Sequence, residues 1–285
     1  MKQPLVSVII PSLNSGKFLR ECLESIKKQI YQNIEIIIVD NNSKDNTREI
    51  AKRYTKHVFI HGPERAAQVN FGAAKALGKY LYRVDADFVL EQEVISQCVR
   101  ECEQKKLDAI AVHNTSGDGL GFWADVRKLE RNSYRDDDLI VGVRFFTKKA
   151  WEKIGGFDEN LYGPEDYDFH IRLVKNGFKW GRIKAIERHL GEPKSLSDIV
   201  RKHYWYGKQM LFYFKKHPVI ATQQFNPVRT SYFRHYEIFL KHPMLLIGLI
   251  IMNFVKFLAG GLGFASAFIT QYNPKLDNSK SKPVH

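Results

Sequence analysis

Residues 62–87 read GPERAAQVNFGAAKALGKYLYRVDAD, and this stretch decides the fold class. Residues 66–77 are alanine-rich with helical spacing and stop at Gly78, and residues 80–84 are a short apolar run closed by Asp85-Ala86-Asp87. A helix that feeds a buried strand, with carboxylates just past the strand, is the repeating unit of an α/β domain. The pattern recurs on either side. Residues 6–10 form a β-branched run closed by Pro11, and residues 35–40 (EIIIVD) stay apolar until Asp40, as a central parallel strand does. Helical spacing resumes at 45–56, and a shorter strand fits 58–61. Helix 91–104, strands 109–113 and 142–147, and helix 165–176 follow. The alternation predicts a mainly parallel sheet, whose ligands bind at the C-terminal ends of its strands.

By that rule Pro11 to Asn14, Asp40 to Ser43 and Asp85 to Asp87 converge on one crevice. Neither GxGxxG nor GxxxxGK[ST] occurs, which excludes a dinucleotide fingerprint and a Walker phosphate loop. Two carboxylates one residue apart, just after a strand, make a natural site for Mg²⁺ or Mn²⁺.

Four stretches, VSVIIPSLN (6–14), IIIVDNNSKDNT (36–47), the quoted 62–87 and GGFDENLYGPEDYDF (155–169), together resemble the family 2 glycosyltransferases of the GT-A fold, over about residues 4–190. The resemblance implies a Rossmann-like nucleotide-diphospho-sugar transferase domain. It implies a metal-dependent, inverting transfer of a sugar from a UDP- or GDP-sugar, with Mn²⁺ or Mg²⁺ as cofactor. Carried onto this sequence, it implies that Pro11, Ser12 and Asn14 line the nucleotide pocket and that Asp40 contacts the base, with Asn42 in the turn beside it. Arg65 would approach the base or phosphates, Asp85 the ribose and metal, and Asp87 would ligate the metal. Glu165-Asp166 matches the acidic motif after GGF, with Asp166 as general base. His189 stands where a further metal ligand or phosphate contact is often found. Asn41-Asn42 replaces the Asp-Gly of many relatives, and both pairs suit a turn.

Elementary chemistry agrees with those roles. Direct displacement at the anomeric carbon needs an incoming hydroxyl deprotonated and a departing diphosphate stabilised. Bland alternatives stand beside them. Glu165 and Asp166 also suit the first turn of a helix, by the helix dipole. His189 fits a satisfied surface histidine, Asp168 a solvent-facing residue, Asp136-Asp137-Asp138 a solvated turn, and Trp123 either an acceptor wall or core.

The formal net charge is +13, unevenly spread. Residues 1–192 carry 31 Lys+Arg against 28 Asp+Glu, and residues 193–243 carry 9 against 2. The basicity is a C-terminal property, which argues against a nucleic-acid-binding domain spread along the chain. Residues 201–243 interleave those cations with Tyr204, Trp205, Tyr206, Phe212, Tyr213, Phe214, Tyr232, Phe233 and Tyr236, as an interfacial helix on an anionic leaflet requires. Residues 244–270 then run apolar with only Asn253 and Lys256 as strongly polar interruptions. About 20 residues cross a bilayer, so this segment is long enough to span, while Gly260-Gly261 permits a break into two dipping pieces. The expected organisation is a catalytic domain (1–192), basic aromatic interfacial helices (193–243), a transmembrane or membrane-dipping segment (244–270) and a flexible tail (271–285). The charge bias puts the catalytic domain on the cytoplasmic face. The N-terminal apolar run, residues 5–10, is too short for a signal peptide. Cys22, Cys98 and Cys102 read as ordinary thiols of a reducing compartment.

The implied partners are a nucleotide-sugar donor, membrane lipids and a membrane-borne acceptor such as a hydroxyl on a lipid-linked glycan, and no nucleic acid. Polyprenyl-phosphate glycosylation, as in dolichol-phosphate mannose synthases, is the runner-up, and a nucleotide-sugar-binding protein without turnover is the alternative from another class.

Overall fold

The computed structural model describes residues 3–272. The tail expected at 271–285 lies outside the described residues except for its first two. The chain runs β1 (Val6–Ser12), α1 (Leu19–Lys27), β2 (Ile34–Asp40), α2 (Thr47–Lys52), β3 (Val58–Ile60), α3 (Arg65–Lys75), β4 (Tyr80–Arg83), β5 (Phe88–Leu90), α4 (Val94–Lys105) and β6 (Ala109–Ser116). It continues through α5 (Phe122–Ser133), β7 (Phe145–Thr147), α6 (Lys148–Ile154), α7 (Glu165–Lys175) and β8 (Trp180–His189). The C-terminal part is helical: α8 (Leu196–Lys216), α9 (Pro218–Gln224), α10 (Thr230–Arg234), α11 (Tyr236–Leu240) and α12 (Pro243–Ile269).

The strands form one sheet in the order β3-β2-β1-β4-β7-β6-β8-β5. The half built from β1 to β4 is parallel, as is the β6–β8 pair, while β7 and β5 run antiparallel to their neighbours. The sheet is thus mixed, and β7 is where the direction changes. A strand buried on both faces is apolar along most of its length, and β1 and β2 are so apart from Ser7, Ser12, Glu35 and Asp40. Val6, Val8, Ile10, Ile36 and Ile38 enter the cluster under α1, α2 and α4. Ile9, Ile37 and Val39 enter the opposite cluster with Ala66, Val69 and Ala73 of α3 and Phe169 and Leu173 of α7. Each such side chain contributes about 1.5–3 kcal/mol. All three cysteines are buried in the first cluster, where loss of solvent raises the Cys22 and Cys98 thiols well above their ordinary range.

Several elements lacked a clear sequence signal. Strands β5 and β8 and helices α5 and α6 were not among those expected. The strand expected over 142–147 is confined to Phe145–Thr147.

Helix α12 is continuous through Gly260 and Gly261. It packs along α8 at very short range: a β-carbon on Gly207 would lie 2.0 Å from the Gly260 carbonyl oxygen, and one on Gly263 would lie 2.0 Å from that of Tyr204. The two backbones can cross this closely only because both positions lack a side chain. Val126 and Leu129 of α5, Ile199 of α8 and Leu249 and Met252 of α12 make a third cluster, with Trp123 packed against it. Trp123 therefore fills this core.

Gly207→Ala and Gly263→Ala should each destabilise the protein by about 1–3 kcal/mol, through forced displacement of backbone. Thermal unfolding should shift by about 2–4 °C per kcal/mol for a protein of this size. Gly261→Ala meets nothing within 4 Å and should be neutral or slightly stabilising, as alanine is in a helix interior. Equal melting temperatures for all three variants would contradict this crossing.

Candidate active site

Parallel strands β1, β2 and β4 place their C-terminal ends side by side, and the order reverses between β1 and β4, the position where open α/β sheets bind ligands. A cavity of about 680 Å³ opens there. Pro11 and Ser12 from β1, Asp85 and Asp87 after β4, Arg65 at the start of α3, Glu165 and Asp166 at the start of α7, and His189 at the end of β8 all line it.

Asp40, Asn14 and Asn42 stand one layer behind that wall. Asp40 is fully buried, accepting from the Ser43 amide (2.8 Å) and hydroxyl (2.5 Å) and from the Ser12 hydroxyl (3.2 Å). Asn14 and Asn42 both adopt positive φ (49° and 54°). The Asn14 side chain accepts from the Lys44 amide (2.8 Å), knitting the β1 loop to the β2 loop, while Asn42 faces solvent. Leu13, Ser15 and Asn41 reach the cavity from these loops instead.

The centre is a charge cluster. Arg83 on β4 is 1% exposed. Its guanidinium lies 3.1 Å from Asp85, 3.6 Å from Glu165 and 3.9 Å from Asp166. Arg65 donates to Glu165 at 2.7 Å and stands 3.6 Å from Asp85. Arg144 stands 3.6 Å from Asp85 and 3.2 Å from the buried Glu187. Burial alone would raise the Asp85 carboxyl, but Arg83, Arg65 and Arg144 outweigh it and hold the group far below the usual carboxylate range. Glu187 lacks that surplus. Desolvation raises it despite Arg144 and the hydrogen bond from the Tyr82 hydroxyl.

The two acidic residues of α7 differ sharply. Glu165 is buried, with one oxygen on Arg65 and the other accepting the Gly163 amide at 2.9 Å. Asp166 is partly exposed to the cavity, and its side chain accepts from the Tyr167 amide (2.9 Å).

Asp87 Oδ2 and His189 Nε2 are 3.0 Å apart. His189 Nδ1 sits 2.8 Å from Glu192, which also accepts from the Ser116 hydroxyl (2.7 Å) and forms an ion pair with Arg131 (2.9 Å). An Nδ1–H donated to Glu192 leaves the Nε2 lone pair facing Asp87, the carboxylate–histidine arrangement that prepares an imidazole for a metal. Adjacent donors on an octahedral ion with bonds of about 2.1 Å stand about 3 Å apart. A β-carbon on Gly191 would fall 2.2 Å from Asp87 Oδ2, so this glycine keeps the space open. The pair fits a hard divalent cation. Among the described residues no three acidic, histidine or cysteine side chains form a metal-binding group, so water and a ligand's oxygens would complete the shell. His189 is buried, not a surface histidine.

Residues 7–188 match the family described as glycosyl transferase family 2. The chain belongs to that family. Among curated relatives it is 38% identical over 113 residues to glycosyltransferase GlyG of Streptococcus pneumoniae serotype 4, covering 37% of this chain and 38% of that one. It is 35% identical over 236 residues to the uncharacterized glycosyltransferase EpsJ of Bacillus subtilis (70% and 64%) and 24% identical over 250 residues to the hyaluronan synthase of Pasteurella multocida (82% and 24%). The chain thus spans less than two thirds of the length of these relatives. Solved structures establish the GT-A fold. A mannosyltransferase from Pyrobaculum calidifontis in complex with GDP-Man and Mn²⁺ superposes with a TM-score of 0.57 at 17% identity, over 95% of this chain and 80% of that one. S. aureus TarS 1–349 in complex with UDP-GlcNAc superposes at 0.53 and 17%, over 94% and 93%.

Several residues around this cavity were not singled out as site residues in the sequence. Arg83 and Arg144 each interrupt an apolar strand run, YLYRV and VGVRFF, and a charge inside such a run is a usable signal. Glu192, Arg131 and Glu130 had no local signal, since they meet only through the fold, whereas Lys256 stood out as a charge inside the apolar run 244–270. Asp168, read as a possible solvent-facing residue, is buried among Arg172 (2.8 Å), Lys216 (2.8 Å) and His217 (2.8 Å), tying α7 to α8. Asp136 and Asp138 are exposed and Asp138 pairs with Arg182 at 2.6 Å, a surface turn.

In the presence of UDP or GDP, Mn²⁺ should raise the melting temperature of the full chain, and Asp87→Ala should remove most of that increment. An undiminished Mn²⁺ shift in Asp87→Ala would exclude this carboxylate as a ligand.

Proposed function

We propose that this family 2 protein is an inverting glycosyltransferase that moves a sugar from a UDP- or GDP-sugar to a hydroxyl of a membrane-borne acceptor. One observation carries the reading. A single cavity holds the Asp87–His189 pair on one wall and a partly exposed Asp166 on another, with a guanidinium cluster between them. Asp87 and His189 would hold Mn²⁺ or Mg²⁺, which supplies Lewis-acid stabilisation of the leaving diphosphate when bound. Arg65, fixed by Glu165, aims its guanidinium at the donor side of the cavity. Asp166 takes the proton of the incoming hydroxyl, since it is the α7 carboxylate whose oxygens are not consumed by Arg65. Glu165 positions, and Asp166 reacts.

The membrane side of the reading rests on α12. Leu249, Met252, Ala259 and Ala267 are buried against the rest of the protein, whereas Ile247, Ile251, Phe254, Leu258 and Leu262 are exposed. Their spacing makes one apolar stripe. A helix held to the domain along its length and apolar on its outer face suits the headgroup boundary of a leaflet. In our reading α12 lies along the cytoplasmic surface and brings the cavity to an acceptor embedded there, because Phe257, Gly260 and Phe264 of the same helix line the cavity.

Asp166→Asn should lower transfer to a hydroxyl acceptor by about 10²–10⁴-fold, the usual worth of a positioned base, while nucleotide binding stays within about twofold. Full turnover in that variant would defeat the hydroxyl-acceptor mechanism. Independently, Phe254→Asp, at a position 70% exposed, should release the protein from anionic vesicles in flotation without lowering its melting temperature. Unchanged flotation would remove α12 from the membrane contact.

A further inference from the structure

A second charge cluster lines the same cavity, and the reaction proposed above does not use it. Glu130 on α5 is 1% exposed. Lys256 of α12 donates to it at 2.6 Å, and Arg127 forms an ion pair with it. Arg229, between α9 and α10, faces the Tyr134 ring at 5.2 Å. Arg229, Lys256 and Arg127 all act electrostatically on Glu130 and together outweigh its burial, so the carboxyl stays ionised. Arg127 also feels Glu192, the partner of Arg131, so four cations (Arg127, Arg131, Arg229 and Lys256) stand against two carboxylates. All four side chains line the cavity, beside Lys202, whose ammonium lies 5.9 Å from the Tyr206 ring.

The excess of positive charge has a consequence. Cations taken out of water are costly unless paired, and Glu130 with Glu192 cannot neutralise all four. The wall around them is amphipathic: Trp205, Tyr206, Met210, Phe257 and Phe264 line the same space. A ligand suited to it has an anionic head and an apolar tail.

We propose that this annex binds the phosphate or diphosphate ester of the acceptor, with Arg127, Arg229 and Lys256 on the phosphate oxygens and the α8–α12 aromatic side chains on the attached hydrocarbon. The inference rests on the transferase reading and deepens it by giving the acceptor's class. The bilayer's own phospholipid headgroups carry the same ester chemistry, so the test separates the two. A purely structural role would instead make the cluster a tether between α5 and α12.

The test uses the full chain with UDP or GDP and Mn²⁺ held saturating, so that the donor subsite is filled, and geranyl diphosphate as the probe. Geranyl diphosphate should still raise the melting temperature, and geraniol should not. Arg229→Gln breaks no ion pair with a carboxylate within 4 Å and should weaken geranyl diphosphate at least tenfold without changing the nucleotide shift. Glu130→Gln removes one of the two opposing charges and should strengthen geranyl diphosphate binding if the variant folds. A tether would lose stability and gain no affinity. An equal response to geraniol, loss of the probe's effect once nucleotide is saturating, or an unaltered Arg229→Gln would each overturn the proposal. Displacement of the probe by short-chain phosphatidylglycerol at equal concentration would assign the annex to a headgroup and overturn the acceptor assignment. Absence of any nucleotide shift would instead strike the donor reading, a separate failure.

Discussion

The structure depends on how it accommodates Arg83, a cation on a central strand with almost no exposed surface. An isolated charge in that position would cost many kcal/mol. It is offset because two chain segments bring three carboxylates to it: Asp85 just past β4, and Glu165 and Asp166 from the first turn of α7. Those carboxylates in turn require Arg65 from α3 and Arg144 ahead of β7. Arg144 carries the network on to Glu187 of β8. Removing one member of such a network leaves buried charge uncompensated, at about 3–5 kcal/mol for a buried pair. The site is therefore also a structural joint between the parallel and mixed halves of the sheet.

This arrangement explains why the two neighbouring acids of α7 have different fates. The first turn of a helix favours any carboxylate through its unpaired amides and dipole, so that argument alone treats Glu165 and Asp166 alike. The guanidiniums separate them. Glu165 is spent on Arg65 and the Gly163 amide, whereas Asp166 meets Arg83 only at 3.9 Å and keeps its cavity-facing surface. Division of labour between adjacent acids arises from the placement of arginines, not from the acids themselves.

How much of this could be read from the sequence follows from how local each signal is. The uninterrupted apolar run 35–40 and the alanine-rich helix before YLYRVDAD announce their elements because burial on two faces leaves no room for polar residues. Asp85, Asp87, Arg65, Glu165 and Asp166 sit at strand and helix ends, which the α/β alternation brings to one crevice. His189 was placed through family resemblance, but its partner Glu192 required the β8 turn in three dimensions. Strand β5 has three residues and α6 has seven, too few to display a period. The apolar stretch 244–270 carried the hydrophobic signal of a bilayer span and also of a helix laid on a domain. Composition cannot separate the two. What distinguishes them is that Gly207 and Gly263 let α8 and α12 touch backbone to backbone, a fact about pairs of residues some sixty apart that no local window contains.

The same reasoning gives the cavity a polarity. On the donor side, Asp85, Asp87, Glu165, Asp166 and Glu187 outnumber Arg65, Arg83 and Arg144, an environment suited to a cation. Around Glu130 the balance is reversed, with Arg127, Arg131, Arg229 and Lys256 exceeding Glu130 and Glu192. Charges in a cavity shielded from bulk water act on a bound molecule more strongly than they would in water. Under the proposed reading, a metal-bound donor diphosphate is drawn to the carboxylates and an anionic amphiphile to the cations, with Asp166 as the base that serves the pair. Lys256 joins this polarity to location, since the helix that supplies its ammonium also carries the exposed apolar stripe. On that reading, membrane contact and acceptor orientation follow from one element of structure.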